Sequence, residues 1–467
     1  MGRTPGVAAP DPGLLRRDRA PLFDLEVSVV TPLFGGGATP ATADPLYPVR
    51  PASVRGHLHF WWRACKSSKY ATAHSLFARE EDIWGSTEKP GRLGVVVDIL
   101  RRGYDEHWAC YDERDDGSGR YKSVPTTLGG YPAYALFPFK GELTRDQKAV
   151  KQPPALARRD VQFRVRIEVT CPIDDATEAM LKAEAEASLW AWLTFGGIGA
   201  RTRRGCGSLY CSDAPFVPPP SIASIDDWLR QGFGRYVEPA TRQLPMPTLR
   251  GARLTWRNRA QSPFESWSTA VRVLADYRQG EGVGRNPADP QKHPRRPGRS
   301  RWPEADSVRL LSGKAASNHS PTHEAGVYFP RADLGLPIVF HYQNPSQPRG
   351  TPQDPPDSVL QSSVDGITRM ASPIVLKPLA LSATSAVTLM LCLETPHVWD
   401  ISEPMLHLQV KDEAAKPVAK RPDLYDPAKS GVVKPLMDSN VGGGAITARD
   451  GLLHYAHARL HGGEVTF

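Results

Sequence analysis

The segment GGIGARTRRGCGSLY, Gly196 to Tyr210, places five glycines and three arginines in fifteen residues. Glycine allows positive φ and lets backbone amides come close to a ligand. Arginine offers a planar fork that binds phosphate bidentately, which lysine cannot do. Together they suit a sugar-phosphate backbone, with Gly199, Arg201, Arg203, Arg204, Gly205 and Gly207 as candidate contacts. The alternative is a helix end at Gly196 and Gly197 followed by a tight turn with solvated arginines. A nucleotide-triphosphate loop does not fit, because no Lys-Ser/Thr follows and no helix starts there. RGCGSLY half-matches the RNA-recognition signature, but Cys206 stands where a stacking aromatic belongs.

Two further basic groups stand out. Arg55, His59, Arg63 and Lys66, spaced 4, 4 and 3, share one flank of a helix whose N-terminus is itself partly positive. Arg295, Arg296, Arg299 and Arg301, followed by Trp302, form a Pro-broken basic loop that can neutralise phosphates and stack a base, or else be a solvated insertion. The histidines make no catalytic or metal set. His57 and His59 diverge on a helix, His319 and His323 are separated by Pro321, and His454, His457 and His461 share a face without an accompanying carboxylate or cysteine set. The expectation is no metal, no cofactor and no catalytic residues: a binding protein and not an enzyme.

These groups need elements to hold them. FDLEVSVVT alternates as a strand. Ser53 is placed to cap a helix whose Leu58, Trp61, Trp62 and Cys65 form a core stripe. RLGVVVDIL reads as a buried strand. In VQFRVRIEVT, Phe163, Val165, Ile167 and Val169 point one way and Gln162, Arg164, Arg166 and Glu168 the other. Asp175 and Glu178 open a helix with a Leu181, Ala185, Leu189, Trp192 stripe, stopped by Gly196 and Gly197. GSLYCS is the closing strand. The order βαββαβ is that of a ferredoxin-like domain. A second unit opens at GARLTWRNR and continues into a helix with a Ser262, Pro263, Glu265 start. Strand-like runs follow at AGVYF, LPIVFHYQ, SPIVLKPLAL and SAVTLMLCLE, then the capped helix TARDGLLHYAHARLHGG and EVTF.

Length and composition agree. A chain of 467 residues exceeds one ordinary core, and 40% hydrophobic content is that of a globular protein. The net charge of +8 favours a polyanionic partner. Six cysteines form no CxxC pair and read as free thiols of a reducing compartment. The N-terminal stretch lacks the apolar segment of a signal peptide, and no run approaches a membrane span, so a cytoplasmic location is expected. The reading is α+β, with two ferredoxin-like, RRM-like domains carrying Gly-rich loops and insertions. A disordered tail covers 1–20, the N-terminal domain 21–213, a Pro-rich linker 214–248 and the C-terminal domain 249–467.

VRGHLHFWWRA, SLFAREEDIWGS before RLGVVVDIL, and LTFGGIGARTRRGCGSL resemble the RAMP superfamily, and within it the first-subunit family of the Cmr module of type III-B CRISPR systems. RSRWPEADSVR, FPRADLGLPIVFHYQ and RMASPIVLKPLAL extend the resemblance into the second half. It implies two RAMP domains in a ribonucleoprotein with guide RNA, target RNA and other RAMP subunits as partners, in antiviral defence. It also implies a place near the guide's 3′ region and help in engaging target RNA, with cleavage left to other subunits. On this chain it points to Arg55, Gly56 and Arg63 beside the glycine-loop positions, while His59 departs from the arginine common there. Two other readings stay open: a metal-independent endoribonuclease of guide precursors with His59 as base, and an assembly subunit whose basic face docks acidic neighbours.

Overall fold

The computed structural model describes residues 20–37, 41–239, 244–291, 298–319, 321, 327–342, 351–362, 369–397, 406–418 and 434–466. The expected tail, apart from Ala20, lies outside them.

The first domain runs β1 (Phe23–Val29), α1 (Pro51–Lys66), α2 (Ala73–Trp84), β2 (Leu93–Arg101), β3 (Gln162–Val169), α3 (Asp175–Phe195) and β4 (Leu209–Cys211). Its sheet is antiparallel in the order β4-β1-β3-β2, the ferredoxin-like arrangement. Phe163, Val165 and Ile167 are fully buried under α1 and α3, as the alternation requires. The outer face carries cross-strand ion pairs, Arg164 with Glu26 at 2.5 Å and Arg166 with Asp98 at 2.9 Å. With Asp24, Glu26, Asp98 and Glu168 against Arg164 and Arg166 that face leans acidic, and among the described residues it offers no row of aromatic platforms. Between β2 and β3 the chain makes short antiparallel pairs, Tyr104–His107 with Leu156–Arg159 among them.

Two helix starts differ in detail from the sequence reading. α1 begins at Pro51 with Arg50 as its N-cap, because a first-turn proline has no N–H to leave unsatisfied; Ser53 lies inside the first turn. α3 is capped by Asp174, whose carboxylate accepts from the Thr177 N–H at 2.7 Å.

The stretch after β4 contains α4 (Ile225–Tyr236), whose Phe233 and Tyr236 pack on Trp190 at centroid distances of 5.4 and 5.2 Å. The second domain follows as β5 (Thr248–Gln261), α5 (Pro263–Gln279), β6 (Ile374–Ala380), β7 (Ala386–Glu394), α6 (Ala448–Leu460) and β8 (Glu464–Thr466). Its sheet order, β6-β7-β5-β8, repeats that of the first domain. The Ser262–Glu265 capping box is complete in both directions, and Thr447 caps α6 through the Asp450 N–H. Inserted between α5 and β6 are the helix Glu304–Ser312 and strands Ile338–Phe340 and Ser358–Ser362; with Leu406–Val410 and Lys416–Pro417 these strands make a third sheet. Of AGVYF only Val327–Phe329 lies among the described residues, and it is not strand.

The domains stack as layers. On one face of the second sheet Val375, Leu379, Val387, Leu389 and Leu391 join the core of Trp61, Trp62, Trp192 and Phe195 from the first domain. On the other, Ile374, Leu376, Met390 and Cys392 join Trp267, Leu274, Tyr277 and Leu452. A sheet buried on both faces reads as unbroken apolar runs, the pattern of SPIVLKPLAL and SAVTLMLCLE.

Candidate RNA interface

The glycine loop is wedged between the two domains. Arg201, at φ +62°, leads into a single 3-10 turn, Thr202–Arg204, which ends on Gly205 at φ +80°. A Cβ on Gly205 would lie 2.6 Å from Trp267 Cδ1, and one on Gly207 (φ +62°) 1.9 Å from the Ile198 carbonyl oxygen. The Thr31 hydroxyl donates to the Gly205 carbonyl at 2.7 Å, and the Ala200 N–H, next to Gly199, to the Phe34 carbonyl at 2.7 Å. The glycines are therefore consumed by packing within the protein.

The three arginines reach across the joint. Arg203 donates to the Ser372 carbonyl at 2.6 Å and Arg204 to the Ile374 carbonyl at 3.0 Å, both on the second domain. Arg201 donates to the Ala135 carbonyl at 3.1 Å. Each guanidinium has donors left over, since a carbonyl uses one of five. Burial lowers all three pKa values; for Arg204, burial with the nearby Arg278 and Arg201 charges pushes it down to about 9, which leaves it cationic at neutral pH.

The repulsion marks a basic cleft. A cavity of about 740 Å³ opens between the domains, lined by Arg201, Arg204, Arg278 and Arg369 together with Tyr134 and Phe137. No carboxylate is among its lining residues. A second hollow of about 220 Å³ shares Tyr134 and Arg278 and adds Arg285 and Arg331, the latter paired with Glu304 at 3.1 Å. Phe137 is 55% exposed and Arg369 is exposed. Six guanidiniums thus border adjoining hollows with the rings of Tyr134 and Phe137 among them, the combination that holds a nucleic-acid backbone and stacks a base. Arg278, Arg285, Arg331, Arg369, Tyr134 and Phe137 were missed in sequence because they come from four separated stretches. The one local hint is Arg278 in the last turn of α5, before Gly280.

The other expected contacts fare differently. On α1, Arg55 is exposed with no partner among the described residues. Gly56 is open to solvent, and a Cβ there would meet nothing within 4 Å. His59 and Arg63 both bind the 5%-exposed Glu80, His59 at 2.5 Å. Lys66 pairs with Glu238 at 3.0 Å. The basic flank is thus largely neutralised from within, a correction that sequence spacing could not supply because both acids come from other elements. In the basic loop, Arg299 pairs with Asp306 at 2.6 Å and Arg301 with Asp438 at 2.9 Å. Trp302 is 2% exposed and donates to the Tyr277 carbonyl at 3.2 Å. It is a core residue and not a platform for a base, because Tyr277 of α5 meets its ring edge-on at 5.2 Å and the Arg331 guanidinium stands over it at 5.6 Å. Arg295 and Arg296 lie outside the described residues.

Residues 26–210 match the model of the RAMP superfamily. The chain is 27% identical over 191 residues to the CRISPR system Cmr subunit Cmr1-2 of Pyrococcus furiosus, a match spanning 40% of this chain and 92% of the relative. It is 28% identical over 165 residues to Cmr1-1 of the same organism, spanning 35% of this chain but only 40% of that protein. The crystal structure of apo Cmr1 from Pyrococcus furiosus superposes with a TM-score of 0.42 at 16% identity, over 82% of this chain and 93% of the other. Among the described residues no group of three or more His, Cys, Asp or Glu is placed to hold a metal, and no helix is long and apolar enough to cross a membrane.

Proposed function

We propose that this RAMP protein is a non-catalytic, RNA-gripping subunit of a type III-B CRISPR (Cmr) ribonucleoprotein. Its partners are the guide RNA, the target RNA and other RAMP subunits, and it works near the 3′ region of the guide. The observation that carries the reading is the interdomain cleft, in which Arg201, Arg204, Arg278 and Arg369 line one cavity with no carboxylate among them. Clustered guanidiniums that repel one another lower their energy when a polyanion enters. The aromatic rings of Tyr134 and Phe137 add sequence-tolerant stacking, so the cleft holds RNA while base pairing to a guide reads it.

Arg278 and Arg369 are the better probes, because Arg203 and Arg204 also tie the domains together. Replacing both with alanine should weaken binding of single-stranded RNA and shrink the log–log salt slope by about 0.7 per arginine. The purified chain should leave the RNA intact throughout. An unchanged affinity and slope, or discrete cleavage, would overturn the reading.

A further inference from the structure

A third, smaller cavity lies on the other side of the 202–204 turn from the basic cleft. Its volume is about 200 Å³, below the ~300–1,000 Å³ of drug-sized ligand sites. Three aromatic rings line it, Phe60 and Trp61 from α1 and Phe195 from the end of α3, with Thr202 and Arg203 from the turn. Phe60 and Trp61 meet edge-on at 5.0 Å, and Trp61 leans on Phe195 at 6.0 Å. The Arg203 guanidinium stands over the Phe60 ring at 5.1 Å.

Two polar side chains of this cavity are unspent, while Arg203 is already committed to the Ser372 carbonyl. His57 lines it and lies nearly parallel to the buried Trp192 ring, with 17° between the planes. Neither its imidazole nitrogens nor the Trp61 indole N–H has a hydrogen-bond partner among the described residues. Burial drives the His57 pKa down to about 4, so the ring is neutral and presents one donor and one acceptor. These groups are not sealed from solvent, so the edge of a ligand can take the place of water on them.

Gly56 adds an independent mark. It lies one helical turn before Phe60, on the same face of α1. It is exposed with open space around it, so no packing inside the protein calls for a glycine there. A glycine in a helix interior costs about 1 kcal/mol relative to alanine. Close approach of an outside chain at the cavity's edge accounts for it.

We propose that this cavity accepts a single unstacked nucleobase of the bound RNA, held between aromatic rings with His57 and Trp61 hydrogen-bonding its edge. The proposal rests on the RNA-gripping reading. An aromatic side chain of a protein neighbour would also fit the walls, but the guanidinium at the cavity and the basic cleft across the turn favour a base attached to phosphates.

The test is an abasic scan on the shortest single-stranded RNA that the full chain binds, so that the strand cannot shift register: RNAs of that one sequence are titrated, each lacking the base at one position. One position should weaken binding about 5- to 150-fold, the effect of one lost base stack, against little change elsewhere. In the His57→Leu and Phe60→Ala chains, checked for unchanged melting, that position-specific loss should shrink or vanish. If every abasic RNA binds alike while the intact RNA binds well, the base pocket is wrong and the RNA reading stands; the cavity then belongs to a protein ring. If no RNA binds at any position, both readings fall. If either variant melts early, 2-aminopurine at the sensitive position of the RNA decides on the unaltered chain: fluorescence should be strongly quenched on binding, and unquenched fluorescence overturns the pocket.

Discussion

The Trp267 indole N–H donates to the Arg204 carbonyl at 2.7 Å, and the same ring leaves no room for a side chain on the next residue, Gly205. One tryptophan of the second domain thus fixes both the conformation and the composition of the first domain's glycine loop.

The Gly205→Ala change should therefore be severe. It forces a side chain into a positive-φ position and into the Trp267 ring at once. A loss of about 2–4 kcal/mol is expected in urea unfolding, from backbone strain and overpacking together. RNA binding should fall only where the protein unfolds. A neutral outcome would mean that the loop is free of the second domain.

Gly56 separates stability from binding by sign. Gly56→Ala should stabilise α1 by about 0.5–1 kcal/mol, seen as a higher melting temperature. On the proposed base pocket, it should at the same time weaken RNA binding by placing a methyl at the cavity's edge. A more stable protein with undiminished affinity would remove Gly56 from the interface.

Lys377 is 1% exposed, sits between the layers and donates to the Gly196 carbonyl at 2.7 Å. Burial pushes its pKa down from 10.5 to about 7. Between those values the unfolded chain binds more protons than the folded one, so stability rises with pH through that window. The Lys377→Met chain should show a flatter rise from pH 7 to 10 in its urea midpoints. Parallel profiles for the two chains would show that the amine is not desolvated.

Glu80 works at the acid end. Burial raises its pKa, but hydrogen bonds from His59 and Arg63 outweigh that and bring it below the usual value. Its contribution is present above the unfolded carboxylate pKa and fades as pH falls through the lowered folded one. Glu80→Gln should cost about 1.5–3 kcal/mol at pH 7, the range for hydrogen bonds to charged groups, and the gap to the unaltered chain should close as pH falls through the lowered carboxylate pKa. A gap that persists in acid would point to packing in place of charge.

Local pattern was enough for the elements. The alternation of VQFRVRIEVT, the Ser262–Glu265 box and the stop at Gly196 and Gly197 are properties of neighbouring residues, so the first ferredoxin-like unit and most second-domain elements were readable in order. The second sheet's strand order was not, because its unbroken apolar runs carry no facing information; stacking on the first domain's helices buries both sides. For the site, composition announced a basic protein, and the glycine loop named the joint where the cleft forms. Charge availability was decided elsewhere. Glu80, Glu238, Asp306 and Asp438 quench arginines, a lysine and a histidine that spacing alone made look free. Arg278 and Arg369, ninety-one residues apart, come together with Arg201 and Arg204 only because the domains close on that loop. Sequence by itself determines which charges exist and their order along the chain. Which of them remain unpaired, and face one another across a cleft, is set by long-range packing that no local pattern encodes.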